Sequence, residues 1–227
     1  MKMLALDTSS DACSVALAKG EDIYHIHEVI PREHANGLLS RIACLLQQAG
    51  MRLDELDAIA YGCGPGSFTG LRIAAAAVQG LAFATKLPVI PISDLAILAQ
   101  GAWRRHAVRQ VAVALDARMN EVYFGLYSLD ERGIMSTHRP ECVCLPEQIE
   151  VPEDGIWYGV GNGWAAYPHE LQALGMAVSI VDAQALPDAL DLLSLAQVAL
   201  SEGKMVAPQA ALPVYLREEI AWRKTFP

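Results

Sequence analysis

The hydrophobic pattern of the chain changes period several times, and each change marks an element. Residues 2–7 form a continuous apolar run, residues 12–18 a second and residues 23–29 a third, each of strand length. Polar turns at Thr8 to Asp11 and at Lys19-Gly20-Glu21-Asp22 separate them, which predicts an antiparallel meander. After Pro31 the period becomes helical. Leu38, Leu39, Ile42, Leu45, Leu46 and Ala49 recur on one stripe of a helix from about Glu33 to Ala49, ended by Gly50. Asp57 to Cys63 reads as a buried strand. Leu71 to Thr85 reads as a helix with Ile73, Ala76, Ala77, Gly80 and Ala84 near one stripe, residues 88–92 as a short strand, and Ser93 as the cap of a further helix.

Near Arg104 to Arg109 the pattern restarts. Val111 to Leu115 is apolar, Asp116 to Asn120 makes a turn, and Glu121 to Leu129 alternates as a strand. Ile156 to Val160, a helix after Gly163, Val178 to Val181 and a helix from about Leu190 to Ser201 follow. Hairpins mixed with crossover connections exclude a purely doubly wound fold and predict an α/β protein of mixed sheets flanked by helices. Each half opens on an aspartate ending a buried strand, Ala5-Leu6-Asp7 and Ala114-Leu115-Asp116, so the order of elements points to internal duplication. The boundary falls at residues 1–105 and 106–227, with the last segment free to pack back on the first lobe.

Composition narrows the function classes. A net charge of −9 and a pI near 5.1 argue against a stand-alone nucleic-acid binder, which needs a basic stripe. The basic groupings Arg104-Arg105-His106 with Arg109, and Arg217, Arg223 and Lys224, read as solvated helix ends. Polar residues interrupt every apolar run before about 18 residues, so no membrane span is expected. The start lacks a signal-peptide pattern, which makes a cytoplasmic location the expectation. A hydrophobic fraction of 53% then suggests a protein partner. The five cysteines contain no Cys-x-x-Cys pair and read as reduced thiols; Cys142 and Cys144 share a face if their segment is a strand. Histidines at 25, 27, 34, 106, 138 and 169 include no pair four positions apart, so no metal and no cofactor are expected, although His25 and His27 share a strand face.

Gly62-Cys63-Gly64-Pro65-Gly66-Ser67-Phe68-Thr69-Gly70-Leu71-Arg72 is the most informative stretch. It lacks the lysine of a P-loop and the third glycine of a dinucleotide loop. Its glycines permit positive φ, Ser67 or Thr69 can cap the next helix, and Arg72 can anchor it. A capped turn and a phosphate cradle both remain open on these residues alone.

Leu6-Asp7-Thr8-Ser9, Arg32-Glu33-His34, Gly64 to Arg72, Asp116-Ala117-Arg118-x-x-Glu121-Val122-Tyr123 and Pro213-Val214-Tyr215-Leu216-Arg217 together resemble the bacterial TsaB (YeaZ) family. The resemblance implies the two-lobed fold of actin, sugar kinases and acetate kinase (ASKHA), and a role in making threonylcarbamoyladenosine beside the anticodon of tRNAs that read codons beginning with A. It implies a non-catalytic subunit that binds and activates TsaD, works with the ATPase TsaE, pairs with itself in isolation and meets tRNA only through the complex. TsaD carries its metal through a His-x-x-x-His helix; the comparable segment here, Ile92 to Ala99, contains no histidine. The resemblance places the partner and dimer interface on the first-lobe helices, at Leu38, Ile42, Leu45, Leu46, Ile73, Ala76, Ala77 and Gly80. The signature loop is Gly64, Pro65, Gly66, Ser67, Phe68, Thr69, Gly70 and Arg72, and Asp7, Thr8, Ser9 and Asp116 mark a degenerate nucleotide cleft. The rival readings are an independent ATP-dependent phosphotransferase of the acetate-kinase type, should Asp7 and Asp116 hold Mg²⁺-ATP, and a glycoprotease-like metallopeptidase.

Overall fold

The computed structural model describes residues 1–137, 139–152 and 155–217; His138, Arg223 and Lys224 lie outside them. The chain forms two compact units, Met1–Ile97 with Leu186–Pro213, and Leu98–Ala185 with the segment from Val214. The first is built on β1 (Lys2–Asp7), β2 (Ala12–Lys19), β3 (Asp22–Val29), α1 (His34–Ala49), β4 (Ala58–Gly64), α2 (Phe68–Thr85) and β5 (Val89–Ser93). Its sheet runs β3-β2-β1-β4-β5. The meander β1-β2-β3 is antiparallel, as the turns predict, while β1, β4 and β5 are parallel and joined by the crossover helices α1 and α2. Nearly every residue of β1, β2 and β4 is buried, which is why these strands read as unbroken apolar runs: helices cover both faces.

After β5 comes α3 (Asp94–His106), entered through Ser93, whose Oγ accepts from Leu95 N at 3.2 Å. The second unit contains β6 (Gln110–Asp116), β7 (Val122–Leu129), β8 (Met135–Thr137), β9 (Cys142–Cys144), β10 (Trp157–Val160), α4 (Gly163–Ala166), α5 (Pro168–Ala173) and β11 (Val178–Asp182). Its sheet order is β11-β10-β6-β7-β8, with β9 also pairing with β7. Written from the meander outward, β8-β7-β6-β10-β11 repeats the first sheet strand for strand, antiparallel across the meander and parallel from β6 to β11. The two mixed sheets flanked by helices are the fold class expected from the pattern. Trp157, Trp164, Phe124 and Leu171 anchor the core of this unit, and the Trp164 indole donates to Ala112 O at 3.1 Å.

The chain passes between units more than once. Helix α6 (Ala189–Ser201), which a single boundary at 105/106 groups with the second half, packs on the first sheet against β1, β2, β4 and β5. It is tied there by polar contacts no local pattern announces: Ser14 Oγ on β2 accepts from Ala189 N at 2.8 Å, and Asp188 caps the helix by accepting from Leu190 N at 3.0 Å. By length and mean hydropathy (18 residues, 1.2) α2 reaches the composition of a membrane-crossing helix, but its place as the crossover between β4 and β5 accounts for its apolar character.

On α1 the apolar stripe faces the sheet. Leu38, Ile42 and Leu45 are 1%, 3% and 0% exposed, whereas Leu39 is 58% exposed. Leu45→Ala is therefore expected to lower the unfolding free energy of the isolated chain by about 2–5 kcal/mol. Leu39→Ala should stay within about 0.5 kcal/mol. Denaturant titration of both variants checks the assignment, and similar losses in the two would contradict it.

Candidate functional site: the signature loop and the helix it launches

Strand β1 delivers Asp7, Thr8 and Ser9 into the interior of the first unit, where Asp7 and Thr8 are fully buried and Ser9 nearly so. The signature loop, with a cis peptide at Gly64-Pro65, lies directly against them. Ser67 N donates to Ser9 O at 2.7 Å, and the Thr8 hydroxyl donates to Gly70 O at 2.7 Å. Approach is so close that a Cβ on Gly70 would stand 1.8 Å from Thr8 O, and one on Gly66 would stand 2.7 Å from Ser9 O. These two glycines are needed because backbone meets backbone here.

Below the loop sits a pair of carboxyls. Asp94, at the start of α3 and also fully buried, accepts from Gly64 N through Oδ2 at 2.6 Å. The Ser9 Oγ lies within hydrogen-bond reach of both acids, 3.1 Å from Asp7 Oδ1 and 2.7 Å from Asp94 Oδ1, with one proton to donate. Ser9 N also donates to Asp7 Oδ1 at 3.1 Å. Burial raises both carboxyls; the Asp7 charge and its hydrogen bond raise Asp94 well above the usual carboxylate range, while the same bond eases Asp7 downward. Asp7 Oδ2 is sealed from solvent beside Asp94 and has no hydrogen-bond partner. Gly62 leaves the space for this pair, since a Cβ there would meet Asp7 Oδ2 at 2.0 Å.

The loop ends by starting α2. Ser67 is the N-cap, its Oγ accepting from Gly70 N at 3.4 Å, so the helix begins at Phe68, three residues before the apolar periodicity signals it. Thr69 is exposed and is not the cap. The Arg72 guanidinium lies over the Phe68 ring, 3.8 Å from its centroid.

The structure divides the residues that sequence grouped as an interface. On α1, Leu38, Ile42 and Leu45 are turned into the core and leave no side chain for a partner; only Leu46 keeps partial exposure. Helical spacing reveals a stripe but not which body it faces, and the sheet claims this one. On α2, Ala76 and Gly80 are exposed and Ile73 and Ala77 half-buried. Two large exposed side chains lie outside that grouping: Phe83, 79% exposed on the same helix, and Leu39 on α1, which the periodicity had put on the apolar stripe. Spacing i, i+4, i+7 from Ala76 through Gly80 to Phe83 was the available signal for the former.

Asp116 belongs to the second unit and is committed there. Its carboxylate accepts from Arg118 N at 2.8 Å and from Tyr167 OH at 3.0 Å, and pairs with the Arg118 guanidinium at 3.1 Å. The following turn holds Arg118, Met119 and Asn120 at φ 62°, 58° and 62°, three successive left-handed residues. Arg217 clamps this turn, donating to Ala117 O at 2.9 Å and pairing with Glu121. The Asp116 to Glu121 motif and the Tyr215-Leu216-Arg217 motif, about a hundred residues apart, are therefore one structural device.

With this geometry in place, the comparisons with known proteins become informative. A family model described as "TsaD: tRNA N6-adenosine threonylcarbamoyltransferase" matches residues 26–225. The tRNA threonylcarbamoyladenosine biosynthesis protein TsaB of Escherichia coli is 42% identical across 99% of this chain and 98% of its own length. The chain belongs to the TsaB (YeaZ) family. The TsaB of Haemophilus influenzae is likewise 42% identical over 99% of the chain and 97% of its own length. YeaZ from Pseudomonas aeruginosa superposes with a TM-score of 0.89 at 49% identity, covering 95% of this chain and 99% of that one. The TsaB resemblance drawn from the motifs is thus established over essentially the whole length.

Two outcomes are expected of this TsaB-family loop. Gly70→Ala should destabilise the chain by about 1–3 kcal/mol, because the methyl forces Thr8 and the helix start apart; an unchanged thermal midpoint would contradict the packing. The upward shift of the buried Asp94 carboxyl sets a pH dependence. A carboxyl raised in the folded state contributes stability that is full below the unfolded value of about 4 and is lost as pH rises through the folded value. Asp94→Asn, which carries its hydrogens permanently, should therefore gain stability relative to the parent as pH rises from about 4. Parallel stability curves for the two proteins across that range would count against a raised Asp94 carboxyl.

Proposed function

We propose that this chain acts in the biosynthesis of threonylcarbamoyladenosine in tRNA as a non-catalytic subunit that binds and activates a TsaD partner. The observation that carries the reading is the outer face of α2, where Ala76 and Gly80 expose backbone between the exposed rings of Phe68 and Phe83. Small residues let a second helix approach closely, and the flanking aromatics supply apolar area. Ile73 and Ala77, half-buried, lie on the same helix beside this face. In isolation the same face serves self-pairing. TsaE and tRNA are met through the assembled complex, and a tRNA-modifying role carries a cytoplasmic location with it.

The non-catalytic assignment is supported by how the polar groups of the first unit are spent. Thr8 and Ser9 hydroxyls and the Asp7 carboxylate bond to the loop and to Asp94, inside a packed interior. A phosphotransferase needs these groups turned toward a ligand. Their burial makes that rival reading weaker, and the helix-borne histidine pair of a metallopeptidase is missing from the sequence.

A Cβ added at Gly80 meets nothing within 4 Å, so a long side chain there leaves the isolated fold undisturbed. Gly80→Arg should retain the parent melting midpoint but lose co-elution with TsaD, with affinity falling more than about 100-fold because a charge is trapped in an apolar interface. Normal co-elution of the folded variant would remove α2 from the interface. Threonylcarbamoyl transfer by the chain alone would overturn the non-catalytic assignment.

A further inference from the structure

Away from the loop and the α2 face, three metal-ligating side chains converge on the first unit: His25, His27 and Asp188. His25 and His27 lie two residues apart on the edge strand β3 and therefore point to the same side of the sheet. Their cross-strand partners on β2 are Ala16 and Ser14, and this side of the sheet receives the start of α6. Asp188, the cap of α6, comes from a segment 161 positions beyond His27 in the sequence (188 − 27). One ligand atom from each residue lies within 4.8 Å of the other two.

Several features make this more than a helix cap beside two imidazoles. His25 Nε2 is 2.8 Å from Asp188 Oδ1, and it is sealed from solvent without forming an aligned hydrogen bond. At that distance an imidazole nitrogen and a carboxylate oxygen are joined either by a proton carried on the ring or by a metal cation. A proton can join only two donors, whereas His27 supplies a third from the same side. The carboxylate is also held ready: Asp188 Oδ1 accepts from Leu190 N at 3.0 Å and from Ser14 Oγ at 3.3 Å, the outer-shell orientation that metal-binding carboxylates use.

We propose that His25, His27 and Asp188 form a site for a divalent first-row transition metal, zinc being the best match to two imidazoles and one carboxylate. Two neutral rings and one carboxylate leave a divalent ion with a single net positive charge and at least one open position for water. Ligand separations up to 4.8 Å close to the edge of a coordination polyhedron by rotation of the exposed His27 ring. The ion would fasten the start of α6 to the edge strand of the first sheet, which makes it a structural brace. This inference departs from the metal-free expectation of the sequence and is independent of the proposed function.

The test uses the full chain without an affinity tag, stripped by chelator and titrated with zinc alone by calorimetry. One saturating equivalent and a raised melting midpoint are expected. His27→Ala, which keeps the His25–Asp188 contact and the α6 cap, should weaken binding at least about 10-fold and remove most of the thermal shift. The double variant His25→Ala/His27→Ala should show no saturable binding, while His169→Ala, outside the cluster, should bind as the parent does. Failure of the parent to bind zinc below roughly 100 μM, far weaker than zinc sites ordinarily hold, or equal binding by the double variant, overturns the proposal.

Discussion

The first unit is organised around two buried acids held side by side, Asp7 and Asp94. Asp7 ends β1 and Asp94 begins α3, and neither could be buried as an anion without a large desolvation cost. Burial raises both carboxyls, and the Ser9 hydroxyl with the backbone amides of Ser9 and Gly64 donates to them. Because the pair links the ends of β1, β4 and β5, the signature loop has one place to go. It folds over Thr8 and Ser9, and Ser67 is delivered as the cap of α2.

That constraint connects interior chemistry to surface function. The glycines of the loop serve contact between two backbone segments, and the hydroxyls that might have met a phosphate are turned inward to the same contact. What reaches the surface is the helix launched by the loop, with an apolar face interrupted by Ala76 and Gly80.

The second unit repeats the strand order of the first with a different closing device. The tight turn after β6 places three successive residues in left-handed backbone, held by Asp116 from one side and Arg217 from the other. Helix α6 then returns to the first sheet, where Asp188 and Ser14 fix its start. Each unit is therefore completed by chain drawn from a distant part of the sequence.

The sequence by itself determined the class and most of the elements, though not β8 (Met135–Thr137) or the separate α5 (Pro168–Ala173). Period and turn chemistry located all the strands of the first sheet to within a residue, the mixed topology and the repeat of an aspartate at the end of an opening strand, because those signals are local. The family, too, was legible in short motifs spread over the whole length. Only the tertiary structure decided which side of each helix is free, since Leu38, Ile42 and Leu45 obey the same periodicity whether a sheet or a partner covers them. It alone showed that Asp7 meets Asp94, that Arg217 closes the turn at Asp116, that α6 belongs with the first sheet and that Asp188 reaches His25. Polar pairings between residues far apart in the chain carry no periodic signature; they exist only where packing brings the groups together and burial makes an unpaired one costly.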